Sequence, residues 1–356
     1  MLAALGQAMN PAGSHTVTLK DVAKAAGVHV STASRALDPT KSWRISPETI
    51  ARVRLAARQL GYTPDVIAKG LKRGTTMMVG VVVPDLENPF MGTFIRGIGQ
   101  EVENNGMVTV VTETLEDHDR LQRALDSLVA RRVDAVITAA ARSTDRYLVD
   151  QYARRVPAFL LAIRNISASG LPHVTQDDRH GGELAAEHLV DLGHRVVAQL
   201  RGPTDIELFD DRREGFRRAA GAGGLIEVTI SDWAREVTLG EGRRLMQLTL
   251  DQNAANPPTA VFAHADVMAI GAIEELEARG LGCPEDVSII GYNDAPLVSH
   301  LMPPLSTVRL PADEIGRLAG RAVTTLIEKP GEPYAISLPA ELIVRASTAP
   351  PAQAGR

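Results

Sequence analysis

Ser31, Thr32, Ser34 and Arg35 crowd into the eight residues VSTASRAL, with Val30 at their head. Short hydroxyls donate to or accept from any base edge, and an Arg fork matches a guanine edge, so this grouping suits the reading of a DNA groove. A second grouping, Asp85, Asn88, Phe90 and Met91 in PDLENPFM, directly follows an apolar run. An Asn amide both donates and accepts toward a hydroxyl, and an aromatic ring stacks on an apolar sugar face. Asn88 also precedes Pro89, where a helix N-cap would stand, so it reads either as a ligand group or as a cap.

The elements that carry the first grouping are legible. Thr18 and Asp21 form a capping box, and Leu19, Val22, Ala23 and Ala26 make one helical face. Gly27 supplies a tight turn. A second helix over 30–37 turns Ala33, Ala36 and Leu37 inward and the hydroxyls and Arg35 outward. Two short helices across a Gly turn form a helix-turn-helix, whose second helix enters the major groove. Ser46 as N-cap and Pro47 at the first position start a third helix. That helix is lined by Ile50, Val53, Ala57 and Leu60 and ends at Gly61. Residues 1–75 hold 11 Lys and Arg against 4 Asp and Glu, net +7, whereas the whole chain is −5, leaving −12 for the remainder. A basic module on an acidic body suits a phosphate-backbone partner. A generic helical bundle with a solvated basic surface is the plainer alternative.

Beyond residue 76, short apolar runs alternate with amphipathic stretches. Runs at 78–83, 108–111, 135–137 and 159–161, then at 196–200, 226–230, 260–263 and 287–290, read as buried parallel strands. Helices are expected near 91–104, 118–131, 144–154, 181–193, 208–220, 239–252 and 266–279. This predicts two doubly wound α/β halves, with ligands at the carboxyl ends of their strands. A chain of 356 residues, 44% hydrophobic, can bury more than one core. It has no run of 18 apolar residues, and MLAALGQAMNPAGSH lacks the pattern of a signal peptide. The lone Cys283 fits a reducing, cytoplasmic setting as a small semi-buried residue.

TLKDVAKAAGV, STASRAL, ISPETIARV and LGYTPDVIAKGL together resemble the head of the LacI/GalR family of bacterial transcription regulators. The likeness continues through VGVVVPDLENPF, AAEHLVDLGH, DDRREGF, GAIEELEARGL, PEDVSIIGYND and PPLSTVR, over residues 16–348. The resemblance implies an α/β protein with an N-terminal all-α helix-turn-helix headpiece at 17–63 and a hinge at 64–75. A two-lobed, doubly wound, periplasmic-binding-protein-like effector and dimerisation domain follows at 76–348. Lobe crossovers are expected near 175–177, 302–306 and 333–335, a disordered extension at 1–16 and a tail at 349–356.

By the same resemblance the chain is a regulator, repressor or activator according to where its operator lies. Its partners are a near-palindromic double-stranded DNA operator, a small carbohydrate-type effector between the lobes and a second copy of itself. The tail STAPPAQAGR has no apolar heptads, so a dimer rather than a tetramer is expected. No cofactor, metal or membrane is implied. DNA contacts fall to Thr18, Val30, Ser31, Thr32, Ser34, Arg35, Ser46 and Thr49. In PDVIAKGLKR, Lys69 meets phosphate and Leu71 wedges into the minor groove, unless the segment is a plain flexible linker.

Effector contacts fall to Asp85, Asn88, Phe90 and Met91, and to Arg212 of DRREGF, Trp233 of ISDW, Asp266 and Asn293. Trp233 reads equally as an edge-of-core ring, and Arg212 alternatively as a solvated helix charge. Several positions depart from the family pattern. Met91 stands where a second aromatic is common, and Ala265 where an Asn is common. Asn293 replaces the first Asp of GFDD, adding a donor and removing a charge. His29 replaces the Ser before the second helix, weakening the expected cap. The competing class is an enzyme: P-loop, HExxH, GxSxG and dinucleotide fingerprints are absent, and His180-Gly181-Gly182 has no nucleophile elbow beside it. A sugar-binding protein without regulation is the third reading.

Overall fold

The computed structural model describes residues 17–38, 42–62, 75–228 and 232–352. They belong to two units, one up to Gly74 and one from Thr75. The expected hinge residues Lys69 and Leu71 lie outside the described residues.

The first unit contains α1 (Leu19–Ala25), α2 (Val30–Ala36) and α3 (Pro47–Leu60). The Asp21 carboxylate accepts from both the Thr18 N–H (2.8 Å) and its hydroxyl (2.7 Å), closing the first turn of α1. Ser46 Oγ caps α3 by accepting from the Thr49 N–H, and Gly61 ends it in the left-handed region at φ +64°. Val22, Ala23, Ala26, Ala33, Ala36, Val53, Ala56 and Ala57 form the core. Small residues let the helices approach closely but bury little area each, so caps and helix ends supply a large share of this unit's stability. Arg52 Nε donates to Ala26 O (2.9 Å), tying α3 to the end of α1. Leu60, expected on the inward face, is 38% exposed because the last turn of α3 extends past its neighbours.

The second unit holds two six-stranded sheets. Lobe 1 orders its strands β11-β5-β4-β3-β1-β2, all parallel: β1 (Met78–Val83), β2 (Val108–Glu113), β3 (Ala135–Thr138), β4 (Ala158–Ala162), β5 (His173–Gln176) and β11 (Ala335–Leu338). Lobe 2 orders β12-β10-β9-β8-β6-β7: β6 (Val196–Leu200), β7 (Ile226–Glu227), β8 (Ala260–Ala263), β9 (Ser288–Asn293), β10 (Ser306–Arg309) and an antiparallel edge β12 (Glu341–Ile343). Helices α4 (Pro89–Asn104), α5 (His118–Ala130), α6 (Arg146–Ala153) and α11 (Ala312–Glu328) cover lobe 1. Lobe 2 carries α7 (Asp178–Asp191), α8 (Glu207–Ala222), α9 (Leu239–Gln252) and α10 (Asp266–Ala278). The inner strands β1, β3, β4, β8 and β9 read as apolar runs because both of their faces are covered. Strands β2 and β7, expected to be buried, are instead sheet edges that leave Val108, Val111 and Ile226 exposed.

The chain crosses between the lobes three times. The first crossing is at Asp177, between β5 and α7. The second, expected near 302–306, falls later, between Arg309 and Ala312, because 306–309 pairs with β9 inside lobe 2. The third, expected near 333–335, falls between Leu338 and Glu341, because 335–338 pairs with β5 inside lobe 1. Helix α11 packs on α4 and was missed in the sequence, as were the inner strands β5 and β10 and the edge strands β11 and β12. His180, Gly181 and Gly182 lie within α7, where a Cβ on Gly182 would stand 2.1 Å from Arg212 O. Gly182 lets α7 pack closely on α8, and Gly181 makes room for the Tyr292 ring of β9. No described helix is long and apolar enough to cross a membrane.

Candidate functional site

The residues expected to read DNA base edges lie on α2. Ser31 and Arg35 are exposed one turn apart, and Val30, Thr32 and Ser34 are half-buried beside them. Arg35 Nε donates to Ser31 O (3.2 Å) and Nη2 reaches Ser31 Oγ (3.5 Å), which folds the exposed guanidinium back along the helix. His29 is the N-cap: its Nδ1 accepts from the Ser31 N–H at 3.3 Å and lies 2.8 Å from Ser31 Oγ. The imidazole therefore does what the expected Ser would do. Thr18 stands at the start of α1 and Ser46 and Thr49 at the start of α3, where helix N–H groups and the helix dipole favour a phosphate. Trp43 is 74% exposed, with the Arg44 guanidinium 4.4 Å from its ring centroid.

In the second unit a cavity of about 270 Å³ opens between the lobes at the carboxyl ends of the strands. Lobe 1 contributes Asp85, Asn88, Phe90 and Met91 after β1, Leu115 and Glu116 after β2, and Ile163 and Arg164 after β4. Lobe 2 contributes Leu208, Phe209 and Arg212 from α8, Glu236 to Thr238 before α9, and Asn293 at the end of β9. Six of the eight expected effector residues thus meet at one cavity. Asn88 occupies the N-cap position of α4 but makes no side-chain cap bond, so its amide is available to the cavity. Asn293 is buried and holds φ at +120°, and among the described residues its side-chain amide makes no hydrogen bond.

Arg212 is 3% exposed, far from a solvated helix charge. Its Nε donates to Asp178 Oδ1 (2.8 Å), its Nη1 to His264 O, and its guanidinium lies 3.5 Å from the Tyr292 ring centroid. Burial pushes the Tyr292 phenol well above, and the His264 imidazole well below, their ordinary values, so neither adds charge here.

Two expected ligand groups are not at the cavity. The Asp266 carboxylate is buried behind it, accepting from the Ala295 N–H (2.7 Å) and the Thr307 hydroxyl (2.6 Å). Burial raises its carboxyl to about 6, against those two hydrogen bonds. It ties the end of β9 to α10. Trp233 is 43% exposed under the Arg201 guanidinium, 4.7 Å from the ring centroid, beside a separate recess with Arg213.

Glu116 and Arg164 were missed in the sequence, although each stands just past a strand end. Arg164 reaches both oxygens of Glu116 with a two-pronged contact. Burial alone would raise the Glu116 carboxyl, but Arg164 and Arg142 more than offset this and hold it below its usual range. Leu115, Glu116, Ile163 and Asn293 all line the cavity with φ between +51° and +120°. Left-handed backbone is costly for Ile above all, and such outliers concentrate at ligand sites. Among the described residues no group of His, Cys, Asp and Glu side chains is arranged to hold a metal. Burial pushes the Cys283 thiol up to about 12, which leaves it a poor nucleophile.

Comparisons with known proteins agree with this geometry. The family described as "Bacterial regulatory proteins, lacI family" matches residues 18–65, and a "Periplasmic binding protein-like domain" matches residues 186–348. The transcriptional repressor CytR of Escherichia coli K12 is 32% identical over 336 residues, covering 93% of this chain and 96% of the relative. The ribose operon repressor of Halalkalibacterium halodurans is 30% identical over 334 residues, covering 93% and 97%. The lac repressor dimer, solved bound to operator and the anti-inducer ONPF, superposes with a TM-score of 0.82 at 25% identity, covering 94% of this chain and 99% of that one.

Proposed function

This chain belongs to the LacI family of bacterial regulatory proteins, and on that premise we propose that it is a DNA-binding transcriptional repressor controlled by a small sugar-type effector. The observation that carries the reading is the pairing, in one chain, of an exposed recognition helix with a polar–apolar cavity that opens between two lobes. Ser31 and Arg35 read base edges, with Val30, Thr32 and Ser34 beside them, while Thr18, Ser46 and Thr49 hold phosphate. Lys69 and Leu71 of the 64–75 hinge complete the operator contact.

The effector's apolar faces rest on Phe90, Met91 and Phe209, and its hydroxyls meet Asn88, Asp85, Arg212 and Asn293, with Arg164 and Glu116 on the opposite wall. Asp266 and Trp233 are left out of this set. A carbohydrate fits this mixture, since each hydroxyl both donates and accepts and each ring presents C–H faces. The protein acts as a homodimer on a near-palindromic site, because one recognition helix reads too few bases alone. Val108 and Val111, exposed on the unpaired edge strand β2, suit the partner copy. The ligand controls DNA affinity only through its differential affinity for the two lobe arrangements.

A gel-shift titration on the DNA upstream of the chain's own gene, at fixed salt, tests the first half. Saturable binding that survives excess random duplex is expected, and equal affinity for both DNAs would sink it. Thermal unfolding with ribose and a panel of related sugars and nucleosides tests the second half: one class should raise the midpoint, and no response from any of them would count against the carbohydrate assignment.

A further inference from the structure

At the rim of the cleft, lobe 1 and lobe 2 are fastened by polar contacts of unlike kind. The Ser143 N–H donates to Asp205 O (2.8 Å), and its hydroxyl reaches the same carbonyl (3.0 Å). The Ser167 N–H and hydroxyl both donate to the Glu207 carboxylate (2.9 and 2.7 Å to Oε2). Next to Ser143 in the chain is Arg142, whose Nη1 donates to Asp205 Oδ2 across the cleft (2.8 Å). The other edge of the same guanidinium, Nε and Nη2, donates to Glu116 Oε2 (3.3 and 3.2 Å) within lobe 1. Glu116 lines the cavity, whereas Arg142 and Asp205 do not.

We propose that Arg142 is a positioning residue that conveys the state of the cavity wall to the closure of the cleft, because its guanidinium spans Glu116 in the wall and Asp205 on the other lobe. The planar fork makes this possible: one edge can be held by one carboxylate while the other edge presents fixed donors to a second. Glu116 Oε2 receives N–H groups from both Arg142 and Arg164 Nη1, three in all, although a carboxylate oxygen offers two good lone-pair directions. A ligand oxygen that takes Arg164 leaves Arg142 the better hold on Glu116 and fixes the guanidinium where Asp205 meets it. Glu116 and its neighbour Leu115 hold left-handed backbone (φ +59° and +51°), a strain of the kind that concentrates at ligand sites. Occupancy is thereby read at Glu116 and expressed at Ser143 and Ser167, which touch lobe 2 but not the cavity.

The inference rests on the cleft being the effector site, but its test needs no ligand. Failure of ribose or any sugar to bind would count against that assignment and leave these rates untouched. Amide hydrogen exchange of the full chain reads the clasp directly, because the Ser143 and Ser167 N–H groups are bonded across it. Arg142→Gln, Asp205→Asn and Glu116→Gln should each speed exchange at both serines by about tenfold, the scale of one charge-assisted hydrogen bond. Amides in β1 should keep their wild-type rates. Arg142→Gln combined with Asp205→Asn should be no faster than either alone, since both cut one link. Glu116→Gln is decisive, because the hydrogen bonds of that side chain go to Arg142 and Arg164, both within lobe 1: wild-type exchange in that variant overturns the proposal, as does multiplicative acceleration in the double variant. Should Glu116→Gln also loosen β1, Arg142→Lys gives the answer instead. It keeps the charge but has no second edge, so accelerated exchange supports the relay and wild-type exchange refutes it.

Discussion

In the headpiece the side chains proposed to read bases stand on one seven-residue helix, whereas in the body the proposed ligand groups converge from six separate segments onto a cavity between two lobes. The headpiece polar groups are exposed or half-buried, and several are bonded to neighbours within a turn, as Arg35 is to Ser31 and Asp21 to Thr18. In the body the central cation is almost wholly buried, and its partners lie 34 and 52 residues away in the chain. The difference teaches where each function is vulnerable. A surface reader loses affinity when a side chain is trimmed but keeps its fold. A buried cage loses fold and ligand together, since removing one charge strands another.

Arg212→Ala should show this most strongly. It leaves the Asp178 carboxylate buried without its cation, and breaking such a pair costs about 3–5 kcal/mol. Urea unfolding of the full chain should register that loss, alongside a lost effector response. Stability within ~1 kcal/mol of wild type would mean that Arg212 serves the ligand alone. Next in size is a pH effect on Asp266. Its carboxyl is raised to about 6 by burial, so the native state holds the proton more tightly than the unfolded chain does. The stability it contributes is full below the ordinary Asp value of about 3.9 and is lost as pH rises through about 6. Relative to Asp266→Asn, the wild type should lose up to about 3 kcal/mol between pH 4 and 7. Parallel stability curves for the two proteins would rule the effect out.

The same contrast explains what could be read from the residues alone. The headpiece was legible to single positions, because capping boxes, the αL glycines at 27 and 61 and inward alanines are local signals. In the body the strand–helix alternation was legible, and so were cavity residues that directly follow a strand, such as Asn88 and Asn293. What stayed hidden depends on long-range pairing. Residues 306–309 and 335–338 are four-residue strands whose lobe is decided by neighbours far away in sequence, so two crossovers shifted. Asp266 has the right chemistry and follows the right strand, but the Thr307 hydroxyl and Ala295 N–H draw its carboxylate behind the cavity wall. Glu116, Arg142 and Arg164 look like ordinary surface charges until folding brings three strand ends together.

On the headpiece side, Arg35→Ala should cost about 1–3 kcal/mol of affinity for the specific operator, with little change in folding, if the exposed fork pairs with a guanine edge. Titrations on operator and on random duplex at one salt concentration separate the possibilities. Equal loss on both would assign Arg35 to phosphate and narrow the base-reading set to the α2 hydroxyls.

The smallest effect is expected at His29, and it tests whether local signals alone govern the headpiece. The imidazole caps α2 by accepting from the Ser31 N–H, but at 3.3 Å that bond is at the long end of the useful range. Removing an N-cap group usually costs about 1 kcal/mol, so His29→Ala should cost somewhat less, roughly 0.5–1 kcal/mol. The consequence is more than stability, because the same nitrogen lies 2.8 Å from Ser31 Oγ, one of the two exposed polar groups of the recognition face. Loss of the cap should fray the first turn of α2, speed amide exchange at Ser31 and weaken operator binding a few-fold. His29→Ser, which supplies a shorter and better-placed oxygen, should restore both readings. If His29→Ala left Ser31 exchange unchanged, the cap would contribute nothing and the start of α2 would be held by packing of Val30 and Ala33 instead. That outcome would make the headpiece more like the body, with tertiary contacts deciding what the helix ends appear to decide.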